Sequence, residues 1–147
     1  MYKHLLVTLD GTPRSEAVVP HAIDVARSMQ AEVTLLRVVD AVKADWSERG
    51  AMGKGSAEST IRSMFTDQAQ AYLDRLAAQV RSSGVKAVVM VRQGQAAKQI
   101  LAVARDVDAD AIAMATHSRR GINRLMFGSV AEEVLHLSSL PVLLVRS

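Results

Sequence analysis

Gly128 and Ser129 are the residues whose types and spacing point most directly to chemistry, in this case the binding of phosphate. Gly128 allows a ligand to approach the backbone closely. Ser129 stands where a helical pattern begins, so backbone N–H groups at the positive end of a helix dipole would face an anion. The same spacing fits a capping box, in which Ser129 caps the helix and Glu132 bonds back. Both arrangements can coexist, because a cap leaves other N–H groups available.

Charged and polar residues also follow two apolar runs of the sequence. Asp10 comes directly before Gly11, where its carboxylate could contact a ligand or form an Asx turn. His117 could contact a phosphate or act as a base, but no matched acid or nucleophile is visible, which favours a hydrogen-bonding role. Three arginines, Arg119, Arg120 and Arg124, could neutralise phosphate charge or be solvated. These residues extend the candidate anion site.

Several catalytic motifs are absent from the sequence. It has no G-x4-G-K-[S/T] loop, no G-x-G-x-x-G after the first apolar run and no G-x-S-x-G elbow. Its histidines form no metal-ligand spacing, and it has no cysteine. We therefore predict a binding site without efficient catalysis, to which Mg²⁺ would come with the phosphates of a nucleotide.

Five short apolar runs alternate with segments of helical periodicity. The runs are residues 4–10, 32–39, 85–92, 109–116 and 141–145, and the helical segments are 15–30, 59–83, 96–107 and 130–137. Nearly continuous apolar runs are typical of strands buried on both faces. The alternation predicts an α/β fold, an open five-stranded and mostly parallel sheet with helices on both faces.

Particular residues refine this prediction. Pro20 predicts a kink or a late start in the first helix, and Gly84 predicts the end of the second. Residues 41–57 are polar and contain three glycines, which predicts a flexible loop after the second strand. The helical stripes expected to face the core include Met29, Met64, Phe65 and Leu137.

The bulk composition predicts one globular domain, since the chain has 147 residues, of which 49% are hydrophobic and 22% charged. The net charge is +3, but no continuous basic stripe with interleaved aromatic residues indicates nucleic-acid binding. No segment approaches the roughly 20 apolar residues of a membrane span, and the N-terminus does not resemble a signal peptide. We expect a soluble, cytoplasmic protein that binds neither nucleic acid nor membrane.

Taken together, several segments resemble the universal stress protein family. The resemblance is most specific in residues 108–121 and 125–132, and it extends to residues 4–18, 35–40, 94–101 and 141–145. It covers essentially the whole chain apart from residues 41–57. The resemblance implies a Rossmann-like fold, similar to that of the adenine nucleotide α-hydrolases, with strand order 3-2-1-4-5. That order places the first strand beside the fourth at the switch point of the sheet.

The resemblance also implies a nucleotide site. Nucleotide-binding members of the family carry G-x2-G-x9-G-[S/T], whose backbone amides surround the ribose and phosphates. This motif falls on Ala115, Ser118, Gly128 and Ser129, so the sequence matches the last two positions and departs from the first two. Ala115 keeps its backbone amide beside a small methyl group, and Ser118 adds a hydroxyl that could donate to phosphate.

The remaining contacts implied by the resemblance complete the predicted site. Asp10 would face the adenosine, and the Val38 backbone would bond the adenine edge. The ligand would be ATP, or AMP or ADP, with Mg²⁺ carried by the nucleotide. The site residues are Asp10, Val38, Met114, Ala115, His117, Ser118, Arg119, Gly128, Ser129 and Val130.

The predicted fifth strand has an apolar edge from Val142 to Val145, near the end of the sequence. A two-fold partner that adds the same strand antiparallel would close this edge, and the resemblance supports such a homodimer. Alternatively, Pro141 and Arg146 protect the edge. We predict a dimeric ATP-binding module of stress response or signalling, with an unidentified protein partner. The alternatives are a dimeric interaction module that binds no nucleotide, and a slow ATPase or adenylyl-transferring enzyme.

Overall fold

The computed structural model of the chain describes residues 2–39, 56–116 and 128–147, with residues 56–62 described by their backbone alone. Most of the predicted loop 41–57 lies outside these residues. Its last two residues, Ser56 and Ala57, belong to a helix, so the loop prediction is wrong at that end.

Five parallel strands form the sheet of the described residues. They are β1 (His4–Leu9), β2 (Glu32–Val39), β3 (Ala87–Gln93), β4 (Ala111–Thr116) and β5 (Val142–Arg146). Their order is β3-β2-β1-β4-β5, and every neighbouring pair is parallel. The predicted α/β class and the strand order implied by the family resemblance are confirmed.

Four α-helices in the described ranges cover the two faces of this sheet. They are α1 (Val18–Met29), α2 (Ser56–Ser82), α3 (Ala96–Asp106) and α4 (Ser129–Leu137). One core cluster joins α1 and α2 to one face, and a second joins α3 and α4 to the other. None of the helices within residues 2–39, 56–116 and 128–147 combines the length and apolar character that a membrane span requires.

The central strand β1 explains why the apolar runs of the sequence are so continuous. Leu5, Val7 and Leu9 belong to the core beneath α1 and α2, whereas Leu6 belongs to the core beneath α3 and α4. All four side chains are at most 4% exposed. Because successive side chains of a strand point to opposite faces, a strand covered on both sides needs apolar residues at nearly every position.

The helix boundaries and the helical stripes differ in part from the prediction. A 3-10 turn spans Ser15–Ala17, so α1 starts late, which is one of the two effects expected of Pro20. The expected burial is wrong for the following side chains, all of which are exposed: Met29, Met64, Phe65 and Leu137.

The length and the ends of the helices explain this exposure. With 27 residues α2 extends for about 40 Å, whereas the seven residues of β3 extend for only about 23 Å. The amino-terminal part of α2, which carries Met64 and Phe65, therefore overhangs the sheet. Met29 and Leu137 are the last residues of α1 and α4, where a helix passes beyond the strands that it covers.

Asp110 connects the amino ends of β1 and β4. Its Oδ2 accepts backbone hydrogen bonds from the N–H groups of Lys3 at 2.6 Å and His4 at 2.8 Å. These two bonds stabilise the carboxylate, which lowers the pKa of Asp110 below its ordinary value.

We expect Asp110→Asn to remove an acid-dependent contribution to stability. A carboxylate whose pKa is lower in the folded state stabilises the fold above its unfolded pKa of about 4 and loses that effect as the pH falls through the folded pKa. The melting temperature of the wild type should therefore fall more steeply below about pH 4 than that of the variant. Asp24→Asn, which removes an exposed carboxylate from α1, is the control and should follow the wild type. Parallel curves for wild type and Asp110→Asn would contradict this role.

Candidate functional site

A cavity of about 300 Å³ opens at the carboxyl ends of β1, β2 and β4, beneath α3 and the start of α4. It lies at the point where the strand order reverses, because the chain continues from β1 to β2 on one side and β4 lies on the other. Ligands of open parallel sheets bind at this switch point. The location follows from the topology alone.

Seven of the ten predicted site residues line this one cavity, and their roles in binding stay predictions. They are Asp10, Val38, Met114, Ala115, Gly128, Ser129 and Val130. The other three, His117, Ser118 and Arg119, lie outside the described residues. The segment after β1, the end of β4 and the start of α4 therefore all meet at this cavity, and the last two carry the described part of the predicted motif.

Asp10 is built into an Asx turn at the rim of the cavity. Its Oδ1 accepts a hydrogen bond from the backbone N–H of Thr12 at 2.8 Å. The Ser15 hydroxyl donates to the Thr12 carbonyl at 2.8 Å and accepts from the Asp10 N–H at 3.3 Å. The sequence left a ligand contact and an Asx turn open for Asp10, and the Asx turn is present. This turn holds the exposed Asp10 beside the cavity. A contact between Asp10 and a ligand remains compatible with this turn.

The first turn of α4 presents its backbone to the cavity. Gly128 occupies the N-cap position with φ +85° and ψ 152°, and no side chain caps the helix there. The capping-box alternative is therefore wrong, because Ser129 is the first helical residue rather than the cap. The backbone N–H of Glu132 donates to the Gly128 carbonyl at 3.0 Å. The three preceding N–H groups have no acceptor within the helix.

The carbonyl of Val38 is a second backbone group at the cavity. Val39 accepts a hydrogen bond from the N–H of Gly94, next to β3, at 3.0 Å. Successive carbonyls of a strand point to opposite sides, so the Val38 carbonyl points toward β1. The pairing of β1 with β2 ends one residue earlier, at Leu9 and Arg37. The Val38 carbonyl thus lies beyond the end of β1, where a ligand edge could reach it.

Arg37 is a cavity residue that the sequence prediction missed. Its Nη1 donates to the Val38 carbonyl at 3.3 Å, and its guanidinium lies against the turn that follows β1. A Cβ on Gly11 would stand 3.1 Å from this guanidinium, and Gly11 has φ +86°. Only glycine combines this backbone conformation with so close an approach. A charged residue inside the apolar run of β2 was the available signal.

The interior of the cavity contains further residues that the prediction missed. Leu36, Ile100 and Thr8 lie there beside the predicted residue Met114, and Thr8 is the polar side chain among these buried residues. Thr8 and Leu36 pair directly between β1 and β2. In the sequence these residues read as ordinary strand and helix positions, so nothing marked them as cavity residues.

A small cluster braces the turn after β1 against α2. Arg75 lies 3.5 Å from the Glu16 carboxylate, and its guanidinium stands 5.5 Å from the centre of the Tyr72 ring. Burial raises the pKa of the Tyr72 phenol, so this group remains a neutral hydroxyl at physiological pH. The ion pair thus connects Glu16, the neighbour of the rim residue Ser15, to α2.

Comparison with known proteins agrees with this geometry. The model of the universal stress protein family matches residues 1–146. The chain belongs to the universal stress protein family. Universal stress protein MJ0531 of Methanocaldococcus jannaschii is 32% identical over 146 residues, which cover 99% of this chain and 83% of that protein. Universal stress protein YxiE of Bacillus subtilis is 28% identical, with 99% of this chain and 100% of that protein covered.

Solved structures of the family share the fold. MJ0577 of Methanocaldococcus jannaschii superposes with a TM-score of 0.83 at 25% identity, and the superposition covers 100% of this chain and 97% of MJ0577. A universal stress protein of Archaeoglobus fulgidus in complex with dAMP has a TM-score of 0.66 at 21% identity, with 97% of each chain covered. A universal stress protein in complex with cAMP has a TM-score of 0.68 at 17% identity and covers 99% of this chain and 97% of that one.

Proposed function

We propose that this universal stress protein is a dimeric module that binds an adenine nucleotide, ATP or its diphosphate or monophosphate, and acts in stress response or signalling without efficient catalysis. The observation that carries the proposal is the composition of the cavity. At the switch point of the sheet, one cavity is lined by the first turn of α4, whose backbone N–H groups have no acceptor within the helix, by the Val38 carbonyl and by apolar side chains.

The start of α4 supplies the phosphate end of the proposed site. The N–H groups of Ser129, Val130 and Ala131 are the donors that α4 leaves unpaired, and all three residues line the cavity. Gly128 has no Cβ that would separate a phosphate from these donors. The Ser129 side chain is not used as a cap, so its hydroxyl can donate to a phosphate oxygen.

The carboxyl end of β2 supplies the base end. The Val38 carbonyl accepts a hydrogen bond from Arg37 and has a second lone pair, which suits the exocyclic amino group of adenine. Leu36, Ile100 and Met114 provide the apolar surface that a purine requires. A volume of about 300 Å³ lies at the lower end of the range of small-molecule sites, which suits a nucleoside with its phosphates extending toward solvent.

Two further observations support the proposal. Relatives with the same fold form complexes with dAMP and cAMP, which share a purine base and a phosphate. The ionisable side chains bear on the proposed absence of efficient catalysis. Within the described lining of the cavity, only Asp10 and Arg37 are ionisable, and the Asp10 carboxylate already accepts a hydrogen bond in the Asx turn. Among the described residues no cluster of three His, Cys, Asp or Glu could hold a metal ion, so we propose that Mg²⁺ comes with the nucleotide.

The proposed dimer rests on the outer edge of β5. Ile112 donates to the Pro141 carbonyl, and Ser147 donates to the Thr116 carbonyl, so the odd-numbered residues of this segment face β4. By alternation, the N–H and C=O groups of Val142 and Leu144 point away from the described sheet. An antiparallel copy of β5 would pair with them through a two-fold axis.

The nucleotide proposal predicts that Gly128→Ala weakens binding. A methyl group at this position would hinder the approach of a phosphate, and loss of one charge-assisted hydrogen bond should weaken AMP and ATP by about tenfold to a hundredfold. Isothermal titration calorimetry of purified protein, stripped of co-purified nucleotide, measures the two affinities.

Gly84→Ala is the matched control for this variant. Gly84 has φ +87°, Gly128 has φ +85°, and neither has a described heavy atom within 4 Å of an added Cβ. Both variants should therefore lose a similar stability, about 1–2 kcal/mol, while only Gly128→Ala loses affinity. A wild type that binds neither AMP nor ATP at millimolar concentration would contradict the proposal and leave the interaction module in its place.

The dimer proposal predicts that Leu143→Lys yields a monomer. Leu143 lies on β5 and is 36% exposed, and a lysine there would place like charges near each other across the two-fold axis. Light scattering coupled to size-exclusion chromatography should give the mass of two chains for the wild type. Met29→Lys, at an equally exposed residue of α1, should stay dimeric. A monomeric wild type, or a dimeric Leu143→Lys, would refute the proposed interface.

A further inference from the structure

Thr8 is a largely buried polar residue of the cavity. Thr8 is 9% exposed and lines the cavity from the middle of the sheet. No group in the described parts of the chain forms a hydrogen bond with its side chain. The hydroxyl of a largely buried residue is usually satisfied by protein, water or ligand.

The other buried polar residues show why Thr8 is distinctive. The Thr34 hydroxyl lies 2.6 Å from Nε2 of His4, and the Ser15 hydroxyl donates to the Thr12 carbonyl. Thr116 resembles Thr8 in having no hydrogen-bond partner for its side chain among the described residues, but it does not line the cavity. Thr8 combines a largely buried position, a place in the cavity and a hydroxyl without a partner among the described residues, which points to a ligand as the partner.

The surroundings of Thr8 indicate which part of a ligand it meets. Thr8 pairs with Leu36 across β1 and β2, and the cavity continues to Ile100 and Met114, all apolar. The Arg37 guanidinium lies against the turn at Gly11 rather than among these apolar residues, so a phosphate beside them would lose its hydration without gaining a counter-charge, which is strongly unfavourable. A nucleoside combines apolar ring surface with single hydrogen-bonding atoms, which is the chemistry that one hydroxyl in an apolar interior can recognise.

We propose that the Thr8 hydroxyl hydrogen-bonds the nucleoside part of the bound nucleotide and thereby contributes to ligand selection. This inference rests on the proposed nucleotide-binding function. The hydroxyl can donate to a ring nitrogen of the base or to a 2′- or 3′-hydroxyl oxygen of the sugar, or accept from the amino group or from one of these hydroxyls. Valine has the same shape and fills the position equally well, so the fold does not require a hydroxyl at this residue.

The test compares Thr8→Val, which removes the hydroxyl, with Thr8→Ser, which keeps it. Calorimetric titrations with adenosine, AMP and ATP should each show Thr8→Val weakened by about fivefold to tenfold, because the contact lies in the part that the three ligands share. Thr8→Ser should bind close to the wild-type affinity. The melting temperature of ligand-free Thr8→Val should equal or exceed that of the wild type, which separates lost recognition from lost stability.

The outcomes separate this inference from the proposed function. If the wild type binds none of the three ligands, both fail. If the wild type binds but Thr8→Val binds equally well, only the role of Thr8 fails. If Thr8→Val weakens ATP and leaves adenosine unchanged, the hydroxyl contacts phosphate, and the inference is also overturned.

Analogues then identify the partner atom. The set consists of 1-, 3- and 7-deazaadenosine, purine riboside, 2′-deoxyadenosine and 3′-deoxyadenosine, which remove the ring nitrogens, the amino group and the sugar hydroxyls one at a time. The analogue that lacks the partner of Thr8 should bind wild type and Thr8→Val with equal affinity. If every analogue retains the full loss, the hydroxyl acts indirectly, and the direct contact is refuted.

Discussion

The divergence of the chain at the ends of β1 and β4 is the constraint on which the candidate site depends. These two strands are neighbours in the sheet, yet β1 leads to α1 on one face and α4, which precedes β5, covers the other. Because the chain leaves the two strands toward opposite faces of the sheet, neither connection covers the point between their carboxyl ends, and a cavity remains there. Its lining residues are far apart in sequence. They lie at the carboxyl ends of buried strands and at the starts of the two helices above them, so the sheet brings them together.

The two proposed ends of the site are both backbone groups left over by secondary structure. A helix leaves its first N–H groups without acceptors, and β2 extends one carbonyl beyond the last pair that it makes with β1. Side chains refine this arrangement. Gly128 keeps the start of α4 open, Gly11 admits the guanidinium of Arg37, and Thr8 places one hydroxyl in the apolar interior. Ala115, which stands where the family motif has glycine, keeps its backbone N–H group, so a site made of backbone groups does not require glycine at this position for its donors.

The architecture of the sheet could be predicted from the sequence more completely than the details of the site. Continuous apolar runs indicate buried parallel strands because only such strands need apolar residues on both faces, and the five runs are strands. The strand order came from the family resemblance, since periodicity does not reveal which distant strands pair. The capping box failed because its pattern fits Ser129 equally at the cap or one residue later, and Gly128 with its positive φ takes the cap. Arg37 and Thr8 were missed because each lies within a strand-like run and becomes notable only beside a cavity.

The most direct test of the central claim is a titration of ¹⁵N-labelled protein with AMP and, in parallel, with adenosine, followed by backbone amide NMR shifts. We predict that AMP shifts the amides of Ser129, Val130 and Ala131 together with those near Val38, because the proposed phosphate and base positions are at opposite ends of one cavity. Adenosine should shift the amides near Val38 and leave the start of α4 nearly unchanged. Shifts that avoid both segments, or equal shifts at α4 with both ligands, would contradict the account.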